Sequence, residues 1–387
     1  MTVPFSPHSG QAAGLAAALE ASGLDRSFLS GLPLPPGVAL DDVLSGEVLL
    51  GMDGLIAASL LTDTPISVLT GRAPASSSLS MSLRLGQFET AHDLEGTVEN
   101  AAMVLAHRAL VVRWLGEPQR PLQGFAPSRD RFALAAGRIS AQRVRDVLAY
   151  RDIDPFGDVV ELLEAEGHPV MHREMPDGVH GLALRKSDAD GAATAWAVYV
   201  AVSVPWTRQR WTLAHELSHV LHDDIGQMVV ETETESEALP EVRAEAFARH
   251  LLLPPEALAA ALPQRPAREG WRAVVGRLVV LFGVSRKAIV KALVADGHAT
   301  DEELTPVSQA LVRDLIEAAG AQEEWDALAA RQHEPQGSPW LVGSTAELYA
   351  TGLVDVRVVA DLMDLEPDDA RTRLHATGWA PEAPAAG

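Results

Sequence analysis

The chain has 387 residues, 47% hydrophobic and 22% charged, which is enough to bury the cores of two or three domains. It contains no cysteine, so disulfides, cysteine nucleophiles, thiolate zinc clusters and iron–sulfur ligation are excluded, and any transition metal must sit on His and carboxylates. A formal charge of -22 opposes broad attraction to nucleic acid or anionic lipid. With no basic leader over Met1–Gly14 and no apolar run of bilayer length, the expectation is a cytoplasmic protein without a membrane partner.

Residues 1–125 read as a mainly helical region, with helical patches at Gln11–Ala21 and Thr97–Leu115. A helix, a break at Asp63–Pro65 and another helical turn over Gly54–Gly71 could derive from a helix-turn-helix, but the 12 acids against 6 Arg of residues 1–125 suit a DNA module poorly. The Ser-rich stretch Arg72–Ser82 reads as a flexible connection.

Residues 126–300 have a more ordered pattern. A helix carrying Val144, Val147 and Leu148 on one face is followed by Asp154-Pro155 and an amphipathic helix over Gly157–Glu166. Three strand-like runs come next, His168–Arg173, Gly178–Leu184 and Ala195–Val202, separated by Pro, Asp and Gly. A long helix from about Arg208 to His222, an acidic segment over Asp223–Leu239 and a helix over Pro240–Leu252 complete an α+β order. From Trp271 onward the pattern is almost wholly helical, so residues 301–387 form a helical C-terminal region that ends in a Pro/Ala tail.

The stretch that carries chemistry is Trp211-Thr-Leu-Ala-His215-Glu216-Leu-Ser-His219-Val-Leu-His222. In a helix, i, i+4 spacing puts His215 and His219 one turn apart on one face, where both imidazoles reach a single ion. Glu216 is offset beside them, placed for general-base work on water, as in zinc peptidases with this motif. A zinc site of this kind needs a third protein ligand. A third His ten positions after the first is ruled out, because Ile225 stands there.

A carboxylate from the following helix is the remaining solution. Ala244, Phe247, Ala248 and Leu251 repeat at i, i+3, i+4, i+7 and define its buried face, with Glu241 and Glu245 flanking it. Glu241 is favoured as the ligand, because the small Ala244 one turn later permits close approach of the two helices. Glu245 then orients a ligand His through its outer nitrogen, and the reverse assignment stays open. Trp211 reads as core packing that could support the site, and His222 as a supporting rather than ligating residue. Arg208, Arg210, Tyr199 and His250 are candidates to stabilise an oxyanion. The strand Ala197–Val202 could receive an extended substrate by strand addition.

Together these motifs resemble the ImmA/IrrE-like zinc metallopeptidases over about residues 137–297, running from Arg143–Leu148 and Asp154-Pro155 through the His helix, Glu241-x-x-Ala244-x-x-Phe247-Ala248 and Phe282-Gly-Val-Ser285. The resemblance implies a zincin-like α+β domain with a small sheet and an active-site helix pair, flanked by helical N- and C-terminal regions. It further implies a Zn2+-dependent endopeptidase that cuts or controls a protein partner such as a transcriptional repressor, in stress response or mobile-element regulation. The usual family glutamate maps to Glu241, whereas the common Asn four residues later is Glu245 and the Gly within the histidine pair is Ser218.

Trp271–Leu293 carries Arg272, Arg277, Arg286, Lys287 and Lys291 with no acid, and reads helix, tight turn, helix, with Ser285 as N-cap. A DNA-binding regulator using Arg286, Lys287 and Lys291, in which the zincin domain is not catalytic, is therefore the alternative function.

Overall fold

The computed structural model describes residues 38–51, 79–85, 95–118, 120–176, 178–187, 193–224, 239–263, 266–330, 336–363 and 365–379, with scattered helical positions before residue 70. In chain order the elements are α1 (Leu40–Leu44), β1 (Leu79–Leu85), α2 (Glu95–Leu115), α3 (Ala133–Val147), α4 (Val159–Ala165), β2 (Val170–Arg173), β3 (Val179–Ser187) and β4 (Ala193–Ala201). They continue with α5 (Trp206–His222), α6 (Leu239–Leu252), α7 (Pro255–Ala261), α8 (Pro266–Phe282), α9 (Arg286–Ala295), α10 (Asp301–Ser308), α11 (Val312–Ala319) and α12 (Gln322–Ala329). The last are α13 (Pro339–Ala350), α14 (Val356–Met363) and α15 (Pro367–Ala376). The expected break at 63–65, most of the acidic segment (225–238) and the tail 380–387 lie outside the described residues.

The order is α+β, with one four-stranded sheet, β1-β3-β4-β2. β3 pairs antiparallel with both β1 and β4, while β2 pairs parallel with β4. Along β3 and β4 the period-2 pleat divides the side chains between two cores. Leu182, Leu184, Ala197, Tyr199 and Ala201 face a core shared with N-terminal helices and α13–α15. Ala183, Trp196, Val198 and Val200 face a second core built with α3 to α11. Burial on both faces is why Ala195–Val202 is a continuous apolar run instead of an alternating one.

Three expectations change here. The strand proposed to receive substrate, Ala197–Val202, largely coincides with β4, which lies between β3 and β2 with both ladders filled, so it cannot accept a further strand. The stretch expected to be a flexible connection ends in strand, since Leu79–Leu85 pairs with β3. Its sequence, Leu-Ser-Met-Ser-Leu-Arg-Leu, alternates with the strand period, a signal that its serines obscure. On α3, Val144 is buried but Val147 is 49% exposed, because the packed face runs through Ala136, Gly137, Ser140, Ala141 and Val144.

Two glycines fix the spacing that positions α5 and α6. A Cβ on Gly181 of β3 would overlap the Thr212 side chain of α5, and one on Gly137 of α3 would overlap the Arg243 carbonyl of α6. The C-terminal region is tied in through Glu164 at the end of α4, which accepts from the backbone N–H groups of Val170 (3.2 Å) and Trp340 (2.7 Å). Burial pushes its carboxyl up to about 7 despite these opposing hydrogen bonds.

Gly137→Ala is expected to wedge α3 from α6 and to lower unfolding stability by about 1–3 kcal/mol, the usual cost of overpacking, as read from chemical denaturation. For Glu164 the folded pKa lies above the ordinary carboxylate value, so its contribution is complete below about 4.5 and is lost as pH rises through about 7. Glu164→Gln should therefore gain on the wild type by roughly 2–3 kcal/mol between about pH 5 and pH 8. Denaturant midpoints for both proteins at the two pH values check this.

Candidate metal centre

α5 starts directly after Pro205 and stops where Asp223 adopts the left-handed conformation (φ 50°, ψ 47°). Between these ends it lies on the sheet face formed by Ala183, Val198 and Val200, so that Leu213, Ala214, Leu217 and Val220 are buried in the second core. His215, Glu216 and His219 are also buried, at 2%, 1% and 2% exposure. Polar groups this deep require partners.

For the inner nitrogens of the two histidines the partner comes from α6. The apolar face of that helix, Ala244, Phe247, Ala248 and Leu251, is wholly buried and sets its rotation about its axis. Glu241 in its first turn is thereby aimed at the histidine pair. Its Oε2 stands 2.9 Å from His215 Nε2 and its Oε1 3.1 Å from His219 Nε2, while the two Nε2 atoms are 3.1 Å apart. One donor atom from each of the three residues falls within 4.8 Å of the others, a grouping that could hold a metal ion.

Glu245, one turn further, stays outside this grouping. Its Oε2 accepts the Trp211 indole N–H at 3.1 Å and lies 3.8 Å from His215 Nδ1, longer than a hydrogen bond. Trp211 is half-buried against the second core. His222 turns toward α3, with Nε2 3.1 Å from the Ser140 hydroxyl and Nδ1 bonded to the Ser218 carbonyl at 2.8 Å.

A residue that sequence reasoning missed completes the arrangement. Asp224 Oδ2 lies 2.9 Å from His219 Nδ1, and its other oxygen pairs with the Arg243 guanidinium of α6. The left-handed turn at Asp223 swings Asp224 back under the helix. Asp223 is itself held by the buried Arg185 of β3, at 2.8 Å. The only trace of this in the sequence is a pair of acids directly after the helix.

Two proposed oxyanion groups lie elsewhere. The Tyr199 hydroxyl donates to Asn100 Oδ1 at 2.8 Å in the first core, because the pleat sends it to the opposite sheet face. Arg210 donates to the carbonyls of Phe156 and Phe282 on the far side of α5. In the basic segment, Arg286 is engaged with the Ala310 carbonyl, while Lys287 and Lys291 are exposed on α9.

Burial works to lower the His219 pKa. Hydrogen bonds to Asp224 and Glu241, with the charges of Glu216 and Glu241, outweigh it and carry the ring up to about 10. Burial likewise works to raise Glu241, but hydrogen bonds and charge from His215 and His219 hold it far below the usual carboxylate range. The pocket thus carries a strongly negative potential in which a proton on His219 stands where a cation would serve better. Two imidazole nitrogens and one carboxylate, with the outer nitrogen of His219 fixed by Asp224, are a donor set that fits a divalent transition metal.

Residues 165–294 match a family model described as Peptidase_M78, IrrE N-terminal-like domain. The likeness to the ImmA/IrrE family therefore holds over a segment that runs from the end of α4 to α9 and includes His215, Glu216, His219 and Glu241. This family is metallopeptidase-like. No curated protein matches the chain.

Asp224→Ala is expected to weaken uptake of a divalent transition metal, probed with Zn2+, by about 10–100-fold by releasing the His219 ring, with helix content unchanged. Competition titration against a chromophoric chelator measures this, and equal affinity in variant and wild type would remove Asp224 from the site.

Proposed function

We propose that the protein is a zinc-dependent endopeptidase that cleaves a protein partner, with a transcriptional regulator as the intended class of substrate and the cytoplasm as its place of action. The observation that carries this reading is the meeting of His215, His219 and Glu241 beside Glu216 inside the segment that resembles a metallopeptidase family. His215, His219 and Glu241 hold the ion. Zinc bound there supplies Lewis-acid activation of a water and of the scissile carbonyl.

The chain's own groups do the rest. Glu216 takes a proton from the attacking water as its oxygen bonds to the scissile carbon, then returns that proton to the amine nitrogen as the C–N bond breaks. Asp224 and Arg243 hold His219 in one tautomer and ring orientation. Glu245, held by the Trp211 indole N–H, places a negative charge 3.8 Å from the outer nitrogen of His215. Among the described residues no helix is long and apolar enough to cross a membrane, in keeping with a substrate met in solution.

A second reading has one specific support. α8 and α9 form a helix-turn-helix around Gly283 (φ 62°), with Lys287 and Lys291 exposed on its second helix. In that reading the protein is a DNA-binding regulator and the metal site is structural. The charge of -22 and the commitment of Arg286 to Ala310 count against it.

Glu216→Gln separates the two. The variant is expected to keep its zinc and fold and to lose peptide cleavage by about 10²–10⁴-fold, and chelation should abolish wild-type cleavage. A purified protein that takes up no zinc, or a Glu216→Gln variant that cuts like wild type, would sink the peptidase reading.

A further inference from the structure

An open cavity of about 360 Å³ lies on the side of α5 turned away from the histidines. Trp206, Arg210 and Leu213 repeat at i, i+4, i+7 along that side and form its floor. Its other walls come from separate parts of the chain: Phe156 and Asp158 ahead of α4, His172 of β2, the turn at Phe282–Gly283, and Leu328 of α12. Phe156, Asp158 and Leu328 lie outside residues 165–294, so the pocket draws on parts of the chain beyond the segment that matches the family model. The volume falls at the lower end of the range for small-molecule sites, about 300–1,000 Å³.

Three polar groups give the cavity its chemistry. Trp206 Nε1 is buried and meets no acceptor among the described residues, and His172 Nδ1 is buried and unpartnered in the same sense. A buried donor left this way costs roughly 1–3 kcal/mol. Arg210 spends Nε on the Phe282 carbonyl (3.3 Å) and Nη2 on the Phe156 carbonyl (2.6 Å), bonds that hold a guanidinium rigidly at the wall. Asp158 caps α4 by accepting from the Val160 N–H at 2.8 Å and offsets part of the Arg210 charge, so the site suits a single negative charge at most. Facing these groups are Phe156, Leu213, Phe282 and Leu328, apolar surfaces that water cannot satisfy.

We infer that this cavity is a binding site for a small amphipathic monocarboxylate, its carboxylate taken by the Trp206 N–H and Arg210 and its aromatic or branched body laid against Phe156, Leu213 and Leu328. The site is distinct from the metal cluster and stands whether or not the protein is a peptidase. It lies on the helix that carries His215 and His219, so an occupant loads that helix from behind. Two variants probe it without touching the cluster. Trp206→Phe keeps an aromatic ring against Trp325, 5.2 Å away between centroids, and removes only the donor end. Leu328→Trp places a larger ring at the edge of the cavity from a position 36% exposed.

The test titrates the full-length protein with 2-naphthoate by calorimetry, with tryptophan fluorescence alongside. Saturable one-to-one binding is expected, weakened roughly ten-fold by Trp206→Phe, as for loss of one charge-assisted hydrogen bond, and abolished by Leu328→Trp. Melting temperatures within a few degrees of wild type show that both variants fold. Absence of saturable binding, or binding that neither variant alters, means that the cavity holds water only and overturns the inference.

Discussion

Two imidazoles and a carboxylate brought together below the surface lose much of their hydration, and a positive charge among them offsets that cost. Much of the surrounding structure serves this one requirement. Against the tendency of burial, hydrogen bonds and charge from Asp224, Glu241 and Glu216 raise the His219 ring well above its ordinary pKa. A metal answers the same demand with three bonds at once.

Holding the three donors together falls to backbone packing more than to the donors themselves. Gly181 lets α5 sit against β3, and Gly137 lets α6 sit against α3, so each donor-bearing helix is located by a close contact that a larger residue would prevent. Beneath the pair, Arg185 of β3, the left-handed Asp223, Asp224 and Arg243 of α6 make a chain of charges from sheet to helix to helix. His219 is gripped from below through this chain while Glu241 meets it from the side.

How much of this was legible in the sequence depends on how local each feature is. His215, Glu216 and His219 are readable because a single turn of helix fixes their relation, whereas the stripe Ala244, Phe247, Ala248, Leu251 is flanked by both Glu241 and Glu245, and the small Ala244 gave the preference for Glu241. Asp224 was not readable, since its position depends on a left-handed residue that carries no glycine to announce it. Tyr199 and Arg210 looked available for catalysis as residue types, but the pleat of β4 and the far side of α5 direct them elsewhere. Pairing partners in the sheet were equally hidden. β2, β3 and β4 show in the pattern while β1 does not, and nothing local reveals that a segment near residue 80 lies beside one near residue 183, or that β4 is interior.

That long-range pairing bears on how the protein behaves in a crowded solution. β1 lies along one margin of the sheet, and at the other margin the backbone of Gln336 bonds to that of His172. Open margins invite neighbouring molecules to join sheet to sheet and polymerise. A fragment trimmed to residues 165–294 would shed both covers together, leaving β3 and β2 as sticky templates. Both strands thus take backbone partners from outside that segment, β3 from residues 79–85 and His172 from Gln336.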